Sequence, residues 1–373
     1  MTEQPGGRDM QAVLSMRGGG YYSERTVGAK RVIDGALPLV RAALPPRPGA
    51  AGPLRVADFG AADGGTSRRM WFDTFSAIRA AGDHREIVIT YTDLPSNDFS
   101  TLFRTMQGLQ GDPAHAYQAV LPGIFVHGCG TGFHRQLFPT ESLDFAFSAT
   151  AMHYVSQKPC EITTHVHQVG ARGGEARLFA EQARRDWEAI LLARARELKP
   201  GARFVALNFG IDEHGRYLGN TGGRHMFDTF DALWRGLLEE GRIDRAEYDR
   251  ATFAQHYRTT EEFVAPLVDD SSPVRAAGLR LVEAKSLYTR CPFEEAFAAS
   301  ASAMSPRAFA ESLVPTMRSW SETVFLTALD RRPREEAAAI VDEFYRRYED
   351  LIAADPTGHA MDYIHIVLVM EKV

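Results

Sequence analysis

Short apolar runs alternate with amphipathic stretches along most of the 373-residue chain. Residues 54–59 (LRVADF) are an apolar run that enters a glycine cluster, and 67–81 repeats at helical spacing, so a strand, a turn and a helix are expected there. The same reading predicts strands over 87–92, 123–127 and 143–148. A long amphipathic helix over about 175–198 is stopped at Lys199-Pro200-Gly201, because proline lacks the N–H a helix needs and glycine suits the turn that ends one. A fifth strand, 203–208, comes next. A helix over 26–44 precedes the first strand and is closed by the proline and glycine punctuation at 45–49. From about 210 to 277 the pattern shifts to helices and polar loops, including 229–240 and 260–268, which predicts an inserted cap. A sixth strand over 279–287, helices between 292 and 354, and a fully apolar run at 363–370 (YIHIVLVM) suited to a buried strand complete the chain.

Strands alternating with helices imply an α/β fold, because each crossover must carry the chain back across a parallel sheet. The expectation is a doubly wound, mostly parallel, seven-stranded Rossmann-like sheet with a helical cap. Residues 1–210 would form the core with an N-terminal lid segment, 211–277 the cap, and 278–373 the rest of the sheet with C-terminal helices. Ligands of such sheets sit at the carboxyl ends of the strands.

With 45% hydrophobic residues the chain can bury a substantial core. A formal net charge of -6, from 42 basic and 48 acidic residues well mixed, leaves no cationic footprint for nucleic acid or anionic lipid, so a small molecule is the expected partner. Cys129, Cys160 and Cys291 are too few and too scattered for a disulfide framework or a structural zinc site. Residues 1–20 are polar and glycine-rich, without the apolar core of a signal peptide, and no run of about 18 apolar residues occurs. A soluble cytoplasmic protein is expected, with neither membrane nor nucleic acid as partner.

The turn at 56–65 (VADFGAADGG) places small residues where backbone can approach a ligand, just before a helix N-terminus. Alone it suits a dinucleotide, a nucleoside, or merely tight packing. Its spacing is not G-x-G-x-x-G, and a sulfonium nucleoside needs no phosphate cradle, which favours S-adenosyl-L-methionine over NAD. Asp93, ending the second strand, can accept from the two ribose hydroxyls. The plainer reading of 93–98 is a turn with a helix cap.

Residues 58–66 followed by YTDLPSNDF (91–99), then GFHRQLFP (132–139), SLDFAFSATAMHYVSQKP (142–159), LKPG (198–201), EGRI (240–243) and RRY (346–348) resemble the SABATH methyltransferases. That group contains salicylate, benzoate and jasmonate carboxyl methyltransferases and caffeine-pathway N-methyltransferases. The resemblance spans nearly the whole chain, and DLPxNDF with S-x-x-x-x-H-(aromatic)-x-S-Q-x-P are its most specific strings. It implies that Tyr22 closes over the cofactor and touches the substrate, that Asp58, Gly60, Ala61 and Thr66 line the methionine end, and that Asp93 and Leu94 bind the ribose. It further implies that Gly132, Phe133, Ser148 and Ala149 complete the cofactor site, with Phe133 stacking on the adenine. A homodimer also follows from it.

Methyl transfer from a sulfonium to a carboxylate needs no general base, since the nucleophile is already ionised; positioning carries the catalysis. The resemblance makes His153 and Tyr154 the pair that orients a small carboxylic acid, with Met226, Phe227 and Met317 lining an apolar pocket. Read without it, the favoured reading makes His153 a satisfied interior histidine and Tyr154 a core ring, and Met226 and Phe227 are equally plain core. Two departures bear on the substrate. Ala29 stands where many relatives carry a glutamine that grips the carboxylate, and Tyr154 where they carry tryptophan. Phe253 occupies the place of a metal-associated asparagine, so no metal is expected. The expected function is methyl-ester formation on a small apolar or aromatic acid of benzoate, indole-acid or fatty-acid kind. The alternatives are N-methylation of a small heterocycle, a non-catalytic protein that binds S-adenosylmethionine, and a nicotinamide oxidoreductase.

Overall fold

The computed structural model describes residues 20–373 apart from the side chains of Tyr22 and Glu24, so the expected role of Tyr22 lies outside the described residues. Helices α1 (Tyr21–Arg25), α2 (Val27–Gly35) and α3 (Leu37–Ala43) precede β1 (Leu54–Phe59), and α4 (Arg68–Ala80) follows it. Next come β2 (Ile87–Asp93), α5 (Phe99–Met106), α6 (Tyr117–Val120), β3 (Ile124–Gly130), β4 (Leu143–Ala149), α7 (Gly173–Glu197) and β5 (Leu198–Ile211). The remainder is α8 (Met226–Glu239), α9 (Arg245–Arg250), β6 (Arg258–Thr259), α10 (Thr260–Val268), α11 (Pro273–Ala276), β7 (Leu279–Thr289), α12 (Pro292–Ala299), α13 (Pro306–Ala328), α14 (Arg334–Ala354) and β8 (Tyr363–Lys372).

The sheet runs β3-β2-β1-β4-β5-β8-β7, with β6 attached to β5. Strand β8 is antiparallel to both neighbours and the other pairings are parallel. From β1 the chain builds outward through β2 and β3 on one side, then returns to place β4 on the other. That reversal opens a crevice above the carboxyl ends of β1 and β4, where α/β sheets bind ligands. Register makes the ends level: Phe59 pairs with Thr92 and with Ser148.

Among the described residues the sheet therefore has eight strands where seven were expected, the extra one being the two-residue β6, too short to leave a periodic signal. The helix expected over 26–44 is two helices, broken at Ala36 where Pro38 would interrupt a continuous ladder. Helix α7 ends where Pro200 and Gly201 said it must, but β5 begins at once with Leu198; the proline and glycine occupy an irregular register between Leu143 and Phe145 of β4, with Gly201 at φ 77°. Helix α5, capped by the Asp98 carboxylate that accepts the Thr101 N–H at 3.0 Å, is the helix implied by the turn-and-cap reading of 93–98, and α6 had no expected counterpart.

The region expected as one cap divides between two places. Helix α8 packs on α13 and α14, where Phe230 meets the rings of Phe325, Phe344 and Tyr348 at 5.9, 5.7 and 5.6 Å. Helix α10 instead covers the sheet beside α7, with the Trp187 and Phe263 rings 5.2 Å apart and the Trp187 indole donating to the Phe263 carbonyl. Among the described residues no helix is long and apolar enough to cross a membrane.

Candidate active site

The loop between β1 and α4 is held from three sides. Both oxygens of Asp93 accept backbone N–H groups, from Ala62 and from Leu94, each at 2.7 Å, and Asn97 donates to the Ala62 carbonyl at 2.8 Å. These bonds fix Ala62 at φ 49°, a left-handed conformation costly for a residue with a Cβ. Burial pushes the Asp93 carboxyl up, while its two backbone bonds pull it down. Beneath the loop Asp58 accepts from the Ser67 hydroxyl at 2.7 Å and the Trp71 indole at 2.8 Å, and burial raises it to about 6. Asp58 thus fastens the start of α4 rather than reaching over the loop. From above, Ser23 donates its N–H and hydroxyl to Asp63 at 3.2 and 2.9 Å, tying α1 to the loop. Ala61 and Thr66 are buried within it.

At Gly60 (φ 73°) a Cβ would lie 2.2 Å from the Ala151 Cβ and 3.6 Å from the Phe133 ring. Only glycine lets three segments converge there: the turn, the loop carrying Gly132 and Phe133, and the loop leading to His153. Ser148 lies below and donates to the Phe59 carbonyl at 3.0 Å, joining the ends of β1 and β4; Ala149 is buried beside it. The half-buried Phe133 is supported by a pair that the sequence reading missed. Arg194, with no exposed surface, donates to the carbonyls of Phe133 and Arg135 at 3.0 and 3.1 Å and lies 4.0 Å from the Phe59 ring centroid. Glu197 binds Arg194 at 2.6 and 2.9 Å and accepts the N–H groups of Leu137 and Phe138. On a long helix an Arg and a Glu three residues apart read as a solvated pair, so no local signal marked them.

Beyond β4 the chain passes through Thr150 at φ 55°, strained for a β-branched residue and held by its N–H to the Leu207 carbonyl at 2.7 Å. It then delivers His153 and Tyr154, rings 4.6 Å apart, to a cavity with about 30 Å³ of free space. Thr26, Ala29, Thr150, Phe209, Leu218, Gln255, Tyr257, Trp320, Met361 and Tyr363 form the rest of its lining. His153 is 1% exposed, and its Nδ1 has no hydrogen-bond partner among the described residues. Burial, with smaller contributions from His365 and Arg258, holds its imidazole well below the usual histidine range, so it is neutral at pH 7.

Met226, Phe227 and Met317 are fully buried but do not line this cavity. Phe227 stands behind the wall, stacked on His167 at 3.9 Å, and Met226 packs against Gly219. The apolar surface comes instead from Phe209, Leu218, Tyr257, Trp320 and Met361. Ala29 lies in the lining, and Phe253 is core, within ring contact of Phe227, Phe230 and Phe325.

Residues 28–373 match the family described as SAM dependent carboxyl methyltransferase. The chain is similar to gibberellic acid methyltransferase 1 of Arabidopsis thaliana, 25% identical over 295 residues, covering 70% of this chain and 74% of that protein. It is also similar to indole-3-acetate O-methyltransferase 1 of the same plant, 29% identical over 206 residues, covering 49% and 51%. The fold is shared with a loganic acid methyltransferase solved with SAH, at TM-score 0.72 and 19% identity over 96% of this chain and 98% of that one. The chain belongs to the SAM dependent carboxyl methyltransferases, the SABATH family.

Proposed function

We propose that this enzyme forms the methyl ester of a small apolar or aromatic carboxylic acid, and that His153 and Tyr154 orient the acid's carboxylate. One observation carries the reading: the two side chains line an aromatic-walled cavity whose approach loop touches the glycine turn at Gly60.

The turn fits a nucleoside sulfonium. Each Asp93 oxygen accepts one backbone N–H, and a carboxylate has lone pairs for more, which suits two ribose hydroxyls. Phe133 offers a half-exposed ring for a purine, worth about 1–3 kcal/mol by stacking. Gly60, Ala61, Thr66, Leu94, Gly132 and Ala149 supply the close walls, while Asp58 and Ser148 shape them from below. When bound, S-adenosylmethionine supplies the electrophilic methyl group. The protein's own part is to exclude water and hold the carboxylate in line, which is worth about 7–11 kcal/mol at best. A neutral His153 donates one N–H, and the Tyr154 hydroxyl can donate a second bond. The unpaired cysteines suit a reducing cytoplasm, where we place the enzyme, with a second copy of the chain as its partner.

The test is methyl transfer from labelled cofactor to aromatic acids, fatty acids and xanthines. Base-labile methyl esters of the acids are expected; label confined to ring nitrogens would reject the proposal.

A further inference from the structure

Gln255 lies on the short segment 253–257, which runs antiparallel to the catalytic loop. The Val155 N–H donates to the Ala254 carbonyl at 3.0 Å, the His256 N–H to the His153 carbonyl at 2.9 Å, and Tyr154 faces Gln255 across the bridge between them. The Gln255 side chain is buried and lines the same cavity as Ala29, His153 and Tyr154.

Its carboxamide has a defined orientation. The oxygen lies 3.2 Å from His167 Nε2 and accepts from the Tyr257 hydroxyl at 3.3 Å. His167 is itself fixed, its ring stacked on Phe227 and its Nδ1 accepting the Val169 N–H at 3.3 Å. Burial keeps that imidazole uncharged, so its single proton sits on Nε2 and the group it meets must be an acceptor. With the oxygen of Gln255 held from behind, the NH2 is what this side chain can offer the cavity. An ionised carboxylate accepts and never donates, so a cavity that seats one must present N–H or O–H groups. Ala29, on the helix α2 wall, presents none.

We infer that the Gln255 NH2 donates directly to the substrate carboxylate as a third donor beside His153 and Tyr154, so that the grip on the acid comes from segment 253–257 rather than from helix α2. The inference rests on the esterification reading above.

The experiment compares the full-length chain with Gln255→Glu and Gln255→Ala, using methyl-labelled S-adenosylmethionine and indole-3-acetate, benzoate and gibberellic acid as probes. Gln255→Glu retains an oxygen for His167 and Tyr257 and puts a carboxylate oxygen, which cannot donate, in place of the NH2. Both variants should lose roughly 10- to 150-fold in kcat/KM for the best acid, Glu at least as much as Ala. Affinity for S-adenosylhomocysteine, measured by calorimetry, should stay within about twofold of wild type, which shows the fold intact. Wild-type kcat/KM in both variants overturns the inference and leaves esterification standing. A matching loss of S-adenosylhomocysteine affinity in both also overturns it, as a structural effect. If the unmodified chain yields ring N-methyl products and no ester, the esterification reading fails and the role of Gln255 goes with it.

Discussion

The glycine turn and the aromatic cavity meet at Gly60 but are built on opposite plans. Around the turn, Asp58, Asp63 and Asp93 each bond a backbone or side-chain donor, so polar groups there hold one another. At the cavity His153 Nδ1, in the lining, has no hydrogen-bond partner among the described residues, and neither do the ring nitrogens of His365, which lies behind the wall 4.6 Å from the Phe209 ring. The turn comes from one contiguous stretch and its neighbour at the end of β2. The cavity draws its lining from segments as distant as Thr26, Tyr154, Gln255, Trp320 and Tyr363. A site of the first kind is fixed by local sequence; one of the second kind is fixed by how the whole chain packs and can change substrate without disturbing the other.

The sharpest way to break this contrast is from beneath the turn. Arg194→Met leaves Glu197 buried without its partner and should destabilise the fold by about 3–5 kcal/mol in urea denaturation; a loss under about 1 kcal/mol would show the pair to be incidental. Asp93→Ala should weaken S-adenosylmethionine binding about 100-fold while leaving the acid's KM at saturating cofactor within about threefold, since it removes charge-assisted bonds on one side of the site alone. Unchanged cofactor affinity would take Asp93 out of the ribose site. Tyr154→Phe should do the reverse, cutting kcat/KM for the acid about tenfold at constant cofactor affinity; full activity would show that the hydroxyl does not touch the carboxylate.

The smallest effect expected is on pH. Because His153 is held well below 6.5, kcat/KM should stay within about twofold from pH 6 to 8, and an inflection near 6.5 would mean that the imidazole titrates normally. Its effect on stability has a definite sign. As pH falls below 6.5 the unfolded chain takes this proton before the folded one, so stability declines toward acid, by under about 1 kcal/mol for this residue between pH 7 and 6. Asp58 acts oppositely: raised to about 6, it binds its proton first in the folded state, and its contribution grows as pH falls from about 6 toward 3.8.

Much of the fold was legible because buried strands are apolar runs and glycine and proline punctuate them. The strands of the parallel core fell within a few residues of their observed bounds. Helix α6, with four residues, is too short to repeat a period, and β6 has only two; α5, eight residues at helical spacing, was announced only by its cap at Asp98. The elements of the turn, 58–66 and 93–99, could be read together because each interaction spans few residues. The cavity could not. Tyr257, Trp320 and Met361 look like any core residue until the fold brings them together, and a single-residue change of helix phase moves Met226, Phe227 or Met317 behind the wall. Nothing local distinguishes Arg194 and Glu197 from a surface pair, since only the covering loop 133–138 makes them interior.

Among the described residues, the lining of the cavity contains no lysine, arginine, aspartate or glutamate. Ester formation from an anion and a sulfonium cancels two formal charges as the new bond develops, so the activated state is less polar than the reactants. Such a reaction is slowed by water, which stabilises the separated ions, and favoured by surroundings of low polarity. On the proposed reading of the cavity as the acid's seat, the greasy, uncharged wall is a rate-enhancing medium as well as a shape filter, and a lysine introduced there at Leu218 or Met361 would tether the anion and hold back its attack.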